Sequence, residues 1–277
     1  MNQFSKFAKV LCLCVLAALS AAAMAGDGHQ SEKKLKKIAE GEHRSDANKA
    51  RNDSRNPAET LAFFGLKPDM TVVEIWPGGG WYTEVLAPYV NGKGQYIAAA
   101  FPKNPEHKYA EYFKKANKKL AEKLEKDKAV YGNVTMAQYF PENDLWELGP
   151  AGKTDMILTF RNLHNWMPGL EKSFQAFYDN LKPGGVLGVV EHRTQAEQDP
   201  KAENGYMNQD YVIEIAKKVG FKLAGSSEVN ANAKDKADHP QGVWTLPPTL
   251  ALGEKDADKY KAIGESDRMT LKFVKPN

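Results

Sequence analysis

Three groups of residues in this sequence carry chemistry by type and spacing. The first is Glu74-Ile75-Trp76-Pro77-Gly78-Gly79-Gly80, where an apolar run ends on a carboxylate and a glycine turn. Glycine tolerates positive φ and has no side chain to keep a ligand off the backbone. A turn of this kind after a strand offers a place for a nucleotide-like ligand at the strand's carboxyl end. Glu74 is then placed to accept hydrogen bonds from a cationic or hydroxylated group. The chain lacks the P-loop pattern, and Thr83 stands where a dinucleotide fingerprint has its last glycine, so a phosphate cradle is not indicated. Glycine also serves plain strand-to-helix geometry, and both readings stay open.

The second group is His164 and His192, the latter flanked by Glu191 and Arg193. A histidine at the carboxyl edge of a sheet is a candidate general base, and equally a structural hydrogen-bonder in a loop. The pair offers metal ligands together with Glu191 or Asp155, but HExxH-type spacing is absent and no metal is assigned. The third group is Arg44, Arg51, Asp53 and Arg55, either a solvated helix face or an arm that folds across the crevice and orients an anionic substrate. Trp81, Trp166 and Trp244 read as packing residues.

The elements that must position these groups alternate short apolar runs with helical segments, the pattern of βαβ units and a parallel sheet. Strands are expected at 71–76, 95–100, 134–139, 154–160, 186–191, 221–229 and 269–274. Helices are expected at about 81–89, 105–125, 169–180 and from Asn208 to Gly220, with Asn208 as cap and Gly220 as stop. A long connection, 230–267, interrupts the end of the domain, and a connection of that length is functional or mobile. The expected architecture is α/β: a doubly wound, seven-stranded, mostly parallel sheet with a helical N-terminal arm over 26–57 and the main domain over 58–277.

Lys6 and Lys9, the apolar run Val10 to Leu19 and the small-residue box Ala23-Met24-Ala25 have the layout of a secretory signal over 1–25. The run is shorter than the ~20 residues needed to span a bilayer. A periplasmic protein beginning at Gly26, with no stable membrane span, is therefore expected. Both cysteines of the chain, Cys12 and Cys14, leave with the signal, which excludes thiol chemistry in the mature protein. The formal charge of +3 falls to +1 on loss of the two lysines, so no nucleic-acid partner is indicated.

Glu74 to Gly80, Asp155-Met156-Ile157-Leu158 and Leu181-Lys182-Pro183-Gly184-Gly185 resemble the successive signature segments of class I methyltransferases dependent on S-adenosylmethionine (SAM). More narrowly, Arg51 to Pro57, Trp76 to Glu84, Arg161-Asn162-Leu163-His164-Asn165-Trp166 and Gly264-Glu265-Ser266-Asp267-Arg268 resemble a bacterial family of exported predicted methyltransferases. The resemblance implies SAM as cofactor and an unidentified small molecule as methyl acceptor. It implies that Glu74 and Gly78-Gly79-Gly80 line the methionine end of SAM, with Asp155, Arg161 and Asn162 bordering the same crevice. Three positions depart from the pattern. Trp76 replaces the first glycine, Ala100 the ribose-binding acid ending strand two, and Gln138-Tyr139 the adenine-binding acid. A catalytically inactive ligand-binding protein on the same fold is the alternative, and an envelope interaction protein docking through the Trp244-bearing connection is a third class.

Overall fold

Along Thr71–Ile75 (β1) side chains alternate, with Val72 and Glu74 on one face, Val73 and Ile75 on the other, and all four buried. Burial on both faces marks a central strand of a parallel sheet. The computed structural model describes residues 29–103 and 106–277. The signal read over 1–25, and Pro105 as a helix start, lie outside them.

The arm ahead of β1 consists of helices at 29–39 (α1), Asp46–Lys49 (α2), Asn52–Arg55 (α3) and Pro57–Phe64 (α4). After β1 come α5 (Thr83–Val90), β2 (Gln95–Ala100), α6 (Ala110–Lys126), α7 (Lys128–Tyr131) and β3 (Val134–Phe140). Then follow β4 (Leu145–Trp146), β5 (Thr154–Phe160), α8 (Leu170–Asn180), β6 (Leu181–Thr194), β7 (Met207–Asn208) and α9 (Gln209–Val219). The chain continues through β8 (Lys222–Ser227), β9 (Pro240–Val243), α10 (Ala257–Ile263) and β10 (Arg268–Val274).

Across the sheet the order is β4-β3-β2-β1-β5-β6-β10-β8, with β7 paired to β6. β10 is antiparallel to both its neighbours, and the other principal pairings are parallel. The seven expected strands are all present, and the two-residue β4 and β7 extend the sheet to nine. From β1 the chain moves outward to β2 and β3, then returns to the other side of β1 for β5 and β6. That reversal puts the topological switch point, where such sheets bind ligands, beside the carboxyl ends of β1 and β5.

Asn208 caps α9 by accepting from the Tyr211 N–H, and Gly220, at φ +115°, ends it. β6 begins five residues earlier than expected, because the Gly184 N–H donates to the Lys275 carbonyl and the Lys275 N–H to Gly185. The 230–267 connection is ordered against the body: the Asn230 amide donates to the hydroxyls of Thr60 and Thr270, and Asp235 accepts from the Tyr206 hydroxyl. Among the described residues, no helix is long and apolar enough to cross a membrane.

Candidate active site at the carboxyl edge of the sheet

The glycine turn after β1 is half open and half packed. Gly78 sits at φ +58°, and a Cβ built there meets nothing within 4 Å. At Gly80, φ +78°, a Cβ would lie 2.8 Å from Leu120 Cδ1, and at Gly79 it would lie 3.2 Å from Lys119 Cδ. Helix α6 thus covers the second half of the turn, and Lys123 Nζ donates to the Gly80 carbonyl at 3.1 Å. Glu74 turns inward beneath α5, where its carboxylate accepts from the hydroxyls of Thr83, at 3.0 Å, and Tyr96. Burial pushes its pKa up to about 7, against the opposing pull of those two hydrogen bonds.

Toward β2 and β3 the carboxyl edge is packed with aromatic rings in a buried cluster. Trp76 takes the positive φ, +48°, that the replaced glycine would have supplied. Its indole N–H donates to the Tyr139 carbonyl at 2.7 Å, and its ring lies 4.8 Å from that of Phe101, with Phe113, Phe140 and Trp166 at 5.6–6.4 Å. Ala100 is buried at the end of β2 and offers no acceptor there.

Toward β5, β6 and β10 the carboxyl edge is polar. Asn162 ties two strand ends together, donating to the Ile75 carbonyl at 2.9 Å and the Thr159 hydroxyl at 3.2 Å. Arg161 stands at φ +63°, and its guanidinium makes no hydrogen bond among the described residues; its Nη1 is buried without a partner. His164 Nδ1 lies 3.1 Å from the fully buried Glu191, whose other oxygen accepts from the Leu163 N–H. His192 Nδ1 lies 2.6 Å from the Ser266 hydroxyl, and the two imidazoles are 5.5 Å apart. Burial, then His164 and the cations of Arg268, Arg161 and Arg55, hold His192 well below the ordinary histidine range, so it is neutral. His164, Glu191 and His192 present three ligand atoms within 4.8 Å of one another. Glu191 is already committed to His164, Leu163 and the His192 N–H, and a cation there would meet the three arginines.

The arm folds onto this edge. The guanidinium groups of Arg44 and Arg55 both lie over the Trp81 ring, 4.7 and 4.6 Å from its centre. Arg44 pairs with the buried Glu84 at 3.0 Å, while Arg51 and Arg55 reach Glu265 at 2.7 and 3.1 Å. Arg268 also binds Glu265, at 2.9 Å. Asp53 is exposed and takes no part.

Asp155 requires correction. It lies near the start of β5, where it accepts from the Thr71 N–H at 2.7 Å and pairs with Lys182. That is the amino edge of the sheet, about 13 Å along β1 from the crevice at ~3.3 Å per residue, so Asp155 does not border it. The parallel register explains why: Val72 pairs with Met156, so Asp155 sits level with the beginning of β1. The residues that sequence reading left without a role are Arg268, Glu265 and Ser266. They lay in a motif that carried the narrower resemblance, yet nothing local said that β10 would bring them beside His192.

Comparison with known proteins places the fold. No family model matches the chain, and no curated protein matches it. Solved structures do. A SAM-dependent methyltransferase from Aquifex aeolicus aligns over 88% of this chain and 97% of its own, at 18% identity and a TM-score of 0.54. Phosphoethanolamine N-methyltransferase 2 of Haemonchus contortus, solved with S-adenosyl-L-methionine, aligns over 80% of this chain and 53% of its own, at 18% identity and TM-score 0.53. The cyclase SpnF aligns over 80% of each chain, at 15% identity and TM-score 0.57. The chain has the Rossmann-like methyltransferase fold.

Proposed function

We propose that the chain is an exported SAM-dependent methyltransferase-like enzyme acting on a small molecule in the periplasm. The observation that carries the reading is the open Gly78 turn at the switch point, with a neutral histidine two strands away. β1, β5 and β6 are adjacent, so that distance is about 10 Å at ~4.8 Å per strand.

The residues fit the two ends of SAM unequally. At the amino-acid end, the unobstructed backbone of Gly78 would hold the methionine portion. Glu74 supports the turn from beneath through Thr83, a helix α5 residue, without reaching outward. At the nucleoside end, Trp76, Phe101 and Phe140 are an aromatic wall, with Trp76 lying across the ends of β2 and β3 and no acid at Ala100 for the ribose. Adenosine binding there requires the indole to yield or to stack, and the affinity is correspondingly weak. Bound SAM would supply an electrophilic methyl group on sulfur.

On the acceptor side His192 is the candidate base. In the tautomer in which Nδ1–H donates to Ser266, the lone pair is on Nε2, which has no hydrogen bond among the described residues. His164 is a positioning residue, since its ring is committed to Glu191 on one nitrogen and faces Asn165 on the other, at 3.0 Å. Incubation of the mature chain with methyl-labelled SAM and a panel of small anionic acceptors, read by mass spectrometry, tests this reading. Label transferred by the wild type and lost in His192→Ala supports it. No transfer to any acceptor by a protein that binds SAM counts against the catalytic role.

The fold alone leaves room for a ligand-binding protein without transfer chemistry, since one fold hosts unrelated functions. A neutral His192, with an Nε2 that has no hydrogen bond among the described residues, favours an enzyme. Export is proposed from the leader sequence, and a mature mass beginning at Gly26 would support it.

A further inference from the structure

We infer that Arg55, Arg161 and Arg268 form a receptor for an oxyanion, a phosphate or carboxylate group carried by the molecule this site acts on. The inference rests on reading the β5–β6–β10 edge as the acceptor side.

The cluster is out of charge balance. Four guanidinium groups, Arg51, Arg55, Arg161 and Arg268, converge on one carboxylate, Glu265, and each of them perturbs it. Burial alone would raise Glu265, but the arginines outweigh it and hold the carboxyl down to about 2. The excess falls back on the arginines. Burial and then Arg161 push Arg55 well below the usual guanidinium range, and burial, with Arg161 and Arg51 against Glu265, brings Arg268 down to about 10. Buried charges of one sign persist only where something compensates them.

Hydrogen bonding points the same way. Arg268 is 1% exposed; its Nε is taken by Ser266 and its Nη2 by Glu265, while Nη1 has no partner. Arg161 Nη1 is likewise buried and unpartnered among the described residues. Guanidinium donors left over in this way match the oxygens of a carboxylate or phosphate. SAM does not supply the missing charge, because its amino-acid end is zwitterionic and its sulfonium is positive. A metal ion at His164, Glu191 and His192 would add to the excess rather than relieve it.

The test is calorimetric titration of inorganic phosphate, and separately of succinate, into the mature chain at constant ionic strength, with sodium chloride as the blank. The wild type is expected to bind at least one of them, and the relative affinities distinguish a phosphate from a carboxylate receptor. Arg161→Gln removes a guanidinium that makes no hydrogen bond among the described residues and repels Arg55 and Arg268, so it should weaken binding at least tenfold without lowering the melting temperature. Arg161→Lys should recover part of the loss. Failure of the wild type to bind either anion, or equal binding by Arg161→Gln, overturns the inference. So does stoichiometric zinc binding that depends on His164 and His192 in a protein that ignores anions. SAM titrated into the same samples separates the two readings. Anion binding without SAM binding sinks the methyltransferase reading alone, and SAM binding without anion binding sinks the receptor alone.

Discussion

Arg268 opens β10 directly opposite His192 near the end of β6, and Ser266 bridges them, its hydroxyl 2.6 Å from His192 Nδ1 and 3.3 Å from Arg268 Nε. A guanidinium cation is thereby coupled to the candidate base. Because the folded-state pKa of His192 is depressed, its contribution to stability is present above the unfolded value near 6.5 and is lost as pH falls, when the unfolded chain takes up a proton that the folded chain refuses. His192→Asn should therefore flatten part of the acid limb of a urea-stability profile. If the profile is unchanged, the histidine is not held neutral by its neighbours.

His192→Ala should lower turnover by roughly 10²- to 10⁴-fold, the range for loss of a general base, with SAM affinity nearly intact. His164→Ala should behave differently. It strips Glu191, which is fully buried, of its imidazole partner, so the main loss is stability, by roughly 1–3 kcal/mol. Turnover per folded molecule and urea midpoint, measured on both variants, separate the roles; equal effects on both quantities would merge them.

Glu74 gives a stability change of opposite sign to His192. Its folded pKa of about 7 exceeds the ordinary 4.5, so its contribution is fully present below about 4.5 and is lost as pH rises through 7. A shift of that size corresponds to ~3 kcal/mol at ~1.4 kcal/mol per unit. Glu74→Gln, which can still accept from Thr83 and Tyr96, should therefore be more stable than the wild type at pH 8 and lose that advantage at pH 4.5. Chemical denaturation of both proteins at the two pH values measures it, and a pH-independent difference would contradict the buried-carboxyl account.

The glycine turn separates packing from access. Gly80→Val drives a β-branched side chain into Leu120 at a positive φ, and overpacking of this kind costs roughly 1–3 kcal/mol. Gly78→Ala meets open space and pays mainly for its φ, about 1 kcal/mol. Thermal unfolding should rank Gly80→Val well below Gly78→Ala, while SAM titration should rank Gly78→Ala the more impaired for its stability. Equal melting temperatures would mean that α6 does not pack as described.

Much of the fold was legible because periodicity is local. The bounds of β2 and β5, the Asn208 cap and the Gly220 stop all follow from residues a few positions apart. The glycine turn and the two histidines were legible for the same reason: the turn and His164 come just after β1 and β5, and His192 lies near the end of β6. The arginine cluster was not, since Arg55, Arg161 and Arg268 are each more than a hundred positions apart and meet only through the pairing of β10 with β6 and the docking of the arm. Asp155 was misplaced by a count along one strand: the motif named the right strand, and only the parallel register says which end of it the carboxylate occupies. Trp76 was visible as a departure from the pattern, but that its indole reaches Tyr139 depends on strands two places apart in the sheet.

Trp76 supplies the most direct measurement. Its ring packs on the aromatic cluster at the ends of β2 and β3 at a φ that glycine adopts without cost, so on the proposed reading Trp76→Gly should open the nucleoside end while losing the packing of one half-buried ring. Calorimetry of the mature chain with SAM and with its demethylated product, on the wild type and Trp76→Gly, tests whether this is a SAM site at all. The account predicts weak binding of both by the wild type and at least tenfold tighter binding by Trp76→Gly. A folded wild type and a folded Trp76→Gly that both ignore SAM and its product would contradict it.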